Sequence, residues 1–117
     1  MHVVVSQVVM KVGGMTMPYS GYGWERRPKP PGSAELAEVL GPWYRFLIDT
    51  FGAERCMFES NFPPDNASCT YRTLWNAFKI IASDYSDKEK AALFHDTAVW
   101  AYKIGQPRPQ ICVSTKL

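Results

Sequence analysis

Only two stretches of this chain have the β-branched and aromatic density of a strand, and helical patterns lie between and after them. The first is the valine-rich run Val3-Val4-Val5 with Val8-Val9-Met10-Lys11-Val12, and the second is Cys56-Met57-Phe58-Glu59. Strands separated by helices pair in parallel through crossovers. Two parallel strands are too few for an independently stable sheet, and each leaves unpaired edges. The pattern therefore predicts an α/β chain that is part of a larger fold.

The second strand stops abruptly. Small and polar residues follow it (Ser60, Asn61), then Pro63 and Pro64, which forbid further strand pairing. Helical apolar spacing resumes from Ser68 to Ser83, with Tyr71, Leu74, Trp75, Phe78, Ile81 and Ala82 on one face. Strand, polar loop and helix make a βα unit, and ligands in α/β folds sit at such loops. The first strand ends at Gly13-Gly14. Its nearly continuous apolar run suits a strand covered on both faces. Lys11 interrupts that run, either as a strand-end lysine reaching solvent along its stem or as a residue at the mouth of a site.

From Met15 to Gly32 the chain is rich in glycine, proline and aromatics, longer than most connections. Tyr19, Tyr22 and Trp24 argue for order, and Arg26 and Arg27 are able to bind a carboxylate. Two readings stand side by side: a lid over a pocket, or a solvated crossing loop. Ser33 is the expected N-cap of the next helix, with Glu35 in its first turn. Leu36, Val39, Leu40, Trp43, Tyr44, Leu47 and Ile48 define its apolar face. Pro42 predicts a kink or two helices meeting near Gly41, and Gly52 a C-terminal stop. Ser86-Asp87-Lys88-Glu89 is a capping-box pattern opening a last helix with Ala92, Leu93, Ala98, Val99 and Tyr102 inward. Pro107 and Pro109 end regular structure, leaving a tail that is frayed or forms a short strand at Ile111-Cys112-Val113.

With 117 residues the chain buries about two-thirds of its unfolded surface at best. A formal charge of +2 gives no case for nucleic acid or an anionic membrane as partner. Cys56, Cys69 and Cys112 are widely spaced, without a CxxC pair, which fits a reducing compartment. No leader pattern opens the sequence, and no stretch approaches the roughly 18 apolar residues needed to span a bilayer. A cytoplasmic location is expected. His2 and His95 stand apart, and a lone helical histidine is read as a packing or capping residue. Asn66-Ala67-Ser68 is read as loop polarity and a helix cap.

Three segments together resemble the C-terminal part of amidohydrolase-related proteins. They are Val8-Val9-Met10-Lys11-Val12-Gly13-Gly14-Met15, Arg55 to Pro63, and Leu93-Phe94-His95-Asp96-Thr97-Ala98. The branch in question is that of the metal-dependent TIM-barrel hydrolases that contains lactonases and decarboxylases. The resemblance implies the C-terminal portion of a (β/α)8 barrel over residues 1–105, with 106–117 as a tail. It also implies hydrolase activity on a small carboxylated substrate in a full-length parent, and inactivity of this chain alone. In the family the last strand ends in Gly-Ser/Thr-Asp-Phe/Trp-Pro, whose aspartate binds the metal or serves as general base. Asn61 stands at that position and Glu59 where glycine is usual. An amide cannot act as that base, though it can orient water or substrate. Glu59 and Asp65 are poor replacements for the missing carboxylate. Lys11, Tyr19, Trp24 and Arg26 are the expected substrate-binding residues. The family's divalent metal, zinc by expectation, takes ligands from earlier strands, and this chain offers no such set, so no cofactor is expected here. The alternative is a non-catalytic product that associates with another chain through open sheet edges.

Overall fold

The structure, a computed structural model, describes residues 8–106. His2, the first three valines, the prolines at 107 and 109 and the expected terminal strand around Cys112 lie outside the described residues. Strand β1 (Met10–Val12) pairs in parallel with β2 (Cys56–Phe58), in the register Met10↔Cys56, Lys11↔Met57 and Val12↔Phe58. Between them run three short 3-10 turns, at Pro18–Ser20, Trp24–Arg26 and Ala53–Arg55, and helix α1 (Ser33–Phe51). After β2 come a 3-10 turn at Pro64–Ala67, α2 (Tyr71–Ile81), α3 (Asp87–Ala91), a π-helical segment at Ala92–Asp96 and α4 (Thr97–Tyr102). The chain is thus mixed α/β, with one parallel strand pair among the described residues.

Apolar spacing explains which helix faces turn inward. In α1 the buried positions are Leu36, Ala37, Leu40, Gly41, Tyr44 and Ile48. Trp43, expected on that face, is 59% exposed, because it falls a turn to the side of the Leu40–Tyr44 stripe. Helix α2 buries Leu74, Ala77, Phe78 and Ile81 against α1. Gly41 lies at this contact, where a Cβ would sit 3.2 Å from the Arg45 guanidinium and at an ordinary 3.7 Å from the Ile81 side chain. Arg45 Nε donates to the Ile81 carbonyl (3.1 Å), satisfying one of the orphan acceptors at the end of α2. Phe58 of β2 stacks on Phe78 with ring centroids 4.6 Å apart and meets Phe94 at 5.0 Å. These aromatics join the strand pair to the helix layer.

Several boundary expectations change. Helix α1 runs unbroken through Pro42. The proline lies on the exposed side, so the carbonyl of Glu38 that loses its partner is left toward water. Ser33 is the first helical residue and caps nothing. The N-cap position is Gly32, and Glu35 in the first turn is paired instead with Arg27. The α2 cap is Thr70, whose hydroxyl accepts from the Thr73 N–H (3.2 Å), while Ser68 is buried in the preceding turn. Gly52 ends α1 at φ +87, its N–H bonded to Ile48 O at 2.7 Å. The capping box at Ser86 is present in both directions, Ser86 N–H to Glu89 Oε2 (2.8 Å) and Glu89 N–H to Ser86 Oγ (3.2 Å). Past it, the π-helical segment shifts the inward stripe. Leu93 and Thr97 are buried, whereas Tyr102 is 59% exposed.

Truncation of Phe78, which is fully buried, removes contacts to both layers. Phe78→Ala is expected to lower stability by about 3–5 kcal/mol in urea unfolding. A loss below about 1 kcal/mol would show that the Phe58–Phe78 stack does not hold the strands to α2.

Candidate functional site

The loops that leave the C-terminal ends of β1 and β2 lie side by side. Pairing extends one step past the strands, with Glu59 N–H donating to Val12 O at 3.1 Å. Gly13 then passes so close to the second loop that a Cβ would lie 2.4 Å from the Glu59 carbonyl oxygen, so no larger residue fits. Gly14 adopts φ +86 and turns the chain; Met17 N–H and Ser20 Oγ both donate to its carbonyl at 3.2 Å. The Met15 N–H reaches the Tyr44 hydroxyl (3.3 Å), which ties this loop to α1. Burial pushes the Tyr44 phenol well above its ordinary pKa.

The second loop is organised by Asp65, which is completely buried. Thr16 Oγ1, from the first loop, donates to Asp65 Oδ1 at 2.7 Å, and the Asn61 N–H donates to Oδ2 at 2.5 Å. The Asp65 main chain closes the same turn: its N–H donates to Asn61 O (2.9 Å), and its carbonyl accepts from the N–H groups of Ser68 (2.9 Å) and Cys69 (3.1 Å). A carboxyl group without water must be hydrogen-bonded to be tolerated, and here both oxygens are. The side-chain Nδ2 of Asn61 is enclosed yet has no hydrogen-bond partner among the described residues. It lies 3.6 Å from where a Cβ on Gly14 would be. A buried donor left unpaired costs about 1–3 kcal/mol.

The residues singled out from sequence do not all meet there. Asn61 and Lys11 are at this end of the strands. Lys11 Nζ is 2.5 Å from Glu59 Oε2, and the hydrogen bond to Glu59 together with its charge raises the Lys11 pKa. Trp24 is buried in the core with Tyr22 stacked on it at 4.5 Å, so it anchors the long loop instead of lining a pocket. Tyr19 is 89% exposed. Arg26 extends into solvent with Glu25 3.5 Å away. His95 is exposed on the π-helical segment, its Nδ1 2.8 Å from Asp96 Oδ1. The sequence reading missed Thr16 altogether and dismissed Asp65 because two prolines separate it from the strand. The signal available was the spacing Asn61-x-x-x-Asp65, which one 3-10 turn converts into contact.

The family resemblance implies a divalent metal, and the side chains present do not fit one. Among the described residues no three His, Cys, Asp or Glu side chains gather as a ligand set. Both Asp65 oxygens already accept from N–H and O–H donors, and the Asn61 amide turns its Nδ2 inward. Nor do the buried cysteines supply a nucleophile: burial pushes the thiols of Cys56 and Cys69 up to about 11.

Those thiol shifts have a sign. A proton held more tightly in the folded state stabilises fully below the unfolded value of 9.0, and that contribution is lost as pH rises toward 11. Lys11, Tyr44 and Tyr85 shift in the same direction and extend the loss to higher pH. Urea midpoints are therefore expected to be level from pH 7 to 9 and to fall above it. Cys56 and Cys69 should resist a thiol reagent at pH 8 until denaturant is added, as peptide mapping by mass spectrometry would show.

Residues 6–104 match the family described as Amidohydrolase. The uncharacterized protein y4mH of Sinorhizobium fredii (strain NBRC 101917 / NGR234) is 43% identical over 68 residues, which are 58% of this chain and 23% of that protein. The chain thus matches less than a quarter of the length of this curated relative. No solved structure matches it.

Proposed function

The chain belongs to the amidohydrolase family, and from that premise we propose that it forms one wall of a hydrolase pocket. On this reading its strand pair and intervening helix are two neighbouring units of an eight-stranded barrel in a longer protein. The reaction is hydrolysis of a lactone-like or related bond in a small carboxylated substrate. Asn61 orients the substrate or a water through its amide. It is not the base, because an amide nitrogen has no lone pair that takes a proton near neutral pH. The Lys11 ammonium, paired with Glu59, stands beside the same strand ends. By itself the chain turns nothing over, since a pocket needs further walls and a proton acceptor.

The observation that carries this reading is the enclosed Asn61 Nδ2, without a partner among the described residues, at the C-terminal ends of two parallel strands, where α/β folds place their chemistry.

A second reading, association with another chain, is favoured by the exposure of Trp43 (59%), Phe46 (64%) and Trp100 (60%) on α1 and α4. It predicts a solution mass that rises with concentration, measurable by light scattering.

The purified chain, with and without added zinc, is expected to hydrolyse aryl esters and lactones no faster than buffer. Turnover that disappears in Asn61→Leu would overturn its inactivity. In a chimera carrying this chain in place of the matched segment of the Sinorhizobium protein, Asn61→Leu should lower hydrolysis at least tenfold. Equal rates would overturn the role given to Asn61.

A further inference from the structure

We infer that Thr16 and Asp65 act together as positioning residues, a clasp that locks the two strand-end loops to each other and thereby holds the Asn61 amide in its enclosed place. The inference rests on the reading that Asn61 faces substrate, but its geometry does not depend on it. An amide group with an unpaired donor gains by turning outward, where water satisfies it. Asn61 does not turn outward, so its backbone must be held. The holding contacts are few. Oδ2 of Asp65 accepts from the Asn61 N–H at 2.5 Å, and the Asn61 carbonyl accepts from the Asp65 N–H at 2.9 Å. This reciprocal pair closes a ring around Phe62, Pro63 and Pro64, which fixes the turn locally but not its distance from β1.

That distance is set by the other carboxyl oxygen. Oδ1 of Asp65 accepts from Thr16 Oγ1 at 2.7 Å across 49 residues of chain, and Thr16 is itself 1% exposed. Thr16 stands two residues past Gly14, where a Cβ would lie 3.6 Å from Asn61 Nδ2. One buried carboxyl group therefore spans both loops, and its two oxygens do different things. One orients the Asn61 main chain; the other draws the first loop over the Asn61 side chain. Both bonds are short, 2.7 and 2.5 Å. An acceptor oxygen, the kind that a carboxylate or carbonyl group of a substrate supplies, would satisfy the Asn61 Nδ2 donor on reaching the loops.

Thr16→Val keeps the side-chain shape and removes the donor, whereas Thr16→Ser keeps the donor. Hydrogen exchange and side-chain amide resonances of the intact chain would report the result without any assay of turnover. In Thr16→Val the Asn61 backbone amide is expected to lose at least tenfold in protection, and its side-chain NH₂ resonances should move toward solvent values. Amides of Leu40 and Phe78 should keep their protection, and Thr16→Ser should restore Asn61. Equal loss at Asn61, Leu40 and Phe78 would mean general destabilisation and overturn the clasp, as would no change at Asn61. Should Thr16→Val fail to fold, the through-bond coupling between the Asn61 amide nitrogen and the Asp65 carboxyl carbon in the unaltered chain decides: its detection supports the clasp, its absence overturns it. A failed clasp leaves the proposed reaction standing, and an inactive chimera leaves the clasp standing, so the two outcomes are separable.

Discussion

Two strands of three residues each share too few main-chain hydrogen bonds to stay paired in water. What holds them is the aromatic contact between Phe58 and the helices, Phe78 on one side and Phe94 on the other. Phe78 in turn touches Tyr44 of α1 and Trp75 of its own helix. The short sheet is therefore pinned from the helix side, with β2 wholly buried and β1 carrying an exposed Lys11 in its middle. Everything at the strand ends inherits its position from this stack. If Phe58 shifted, Glu59, Gly13 and both loops would shift with it.

From this platform the loops are joined by polar bonds rather than by more hydrophobic surface. Gly13 is pressed against the Glu59 backbone, Met15 is bonded to Tyr44, and Thr16 and Asn61 converge on Asp65. Such bonds are directional, so they fix orientation as well as distance. The long loop after β1 is also secured by Trp24, whose burial leaves Tyr19 and Arg26 outside, and by the pairing of Arg27 with Glu35 of α1. This division gives the candidate site a firm floor and an open rim. Membership of the amidohydrolase family then supplies the chemistry such a floor would serve.

Much of the fold was legible in the sequence because it depends on local signals. Parallel pairing followed from a helical pattern between two strand patterns, and the Ser86 capping box and the Gly52 stop were readable from a few residues each. Where the sequence misled, a tertiary term was at work. Ser33 looked like a cap, but Gly32 already occupies that position and the first turn is paired through Glu35 and Arg27. Pro42 looked like a break, yet its solvent-facing placement makes the lost bond tolerable. The site was legible only in part. Asn61 could be placed by its strand end, but Thr16, which bonds the carboxyl group of Asp65, lies 49 residues before it with no pattern linking the two. The aromatic loop left a lid and a crossing loop equally open, because nothing in the sequence shows that Trp24 packs into the core.

The π-helical segment at Ala92–Asp96 reaches beyond its own five residues. It accommodates an additional residue without a loop, and one residue amounts to about 100° of rotation around a helix. Everything after Asp96 is consequently turned relative to a regular continuation, which puts Thr97 beneath Glu54, where its hydroxyl meets the carbonyl at 3.1 Å, and leaves Trp100 on the outside. Deleting a single residue between Ala92 and Asp96 would remove the surplus and let a regular helix run on, with Thr97 and Trp100 still facing as they do. The length of this stretch, more than its composition, thus decides which surface the last helix shows.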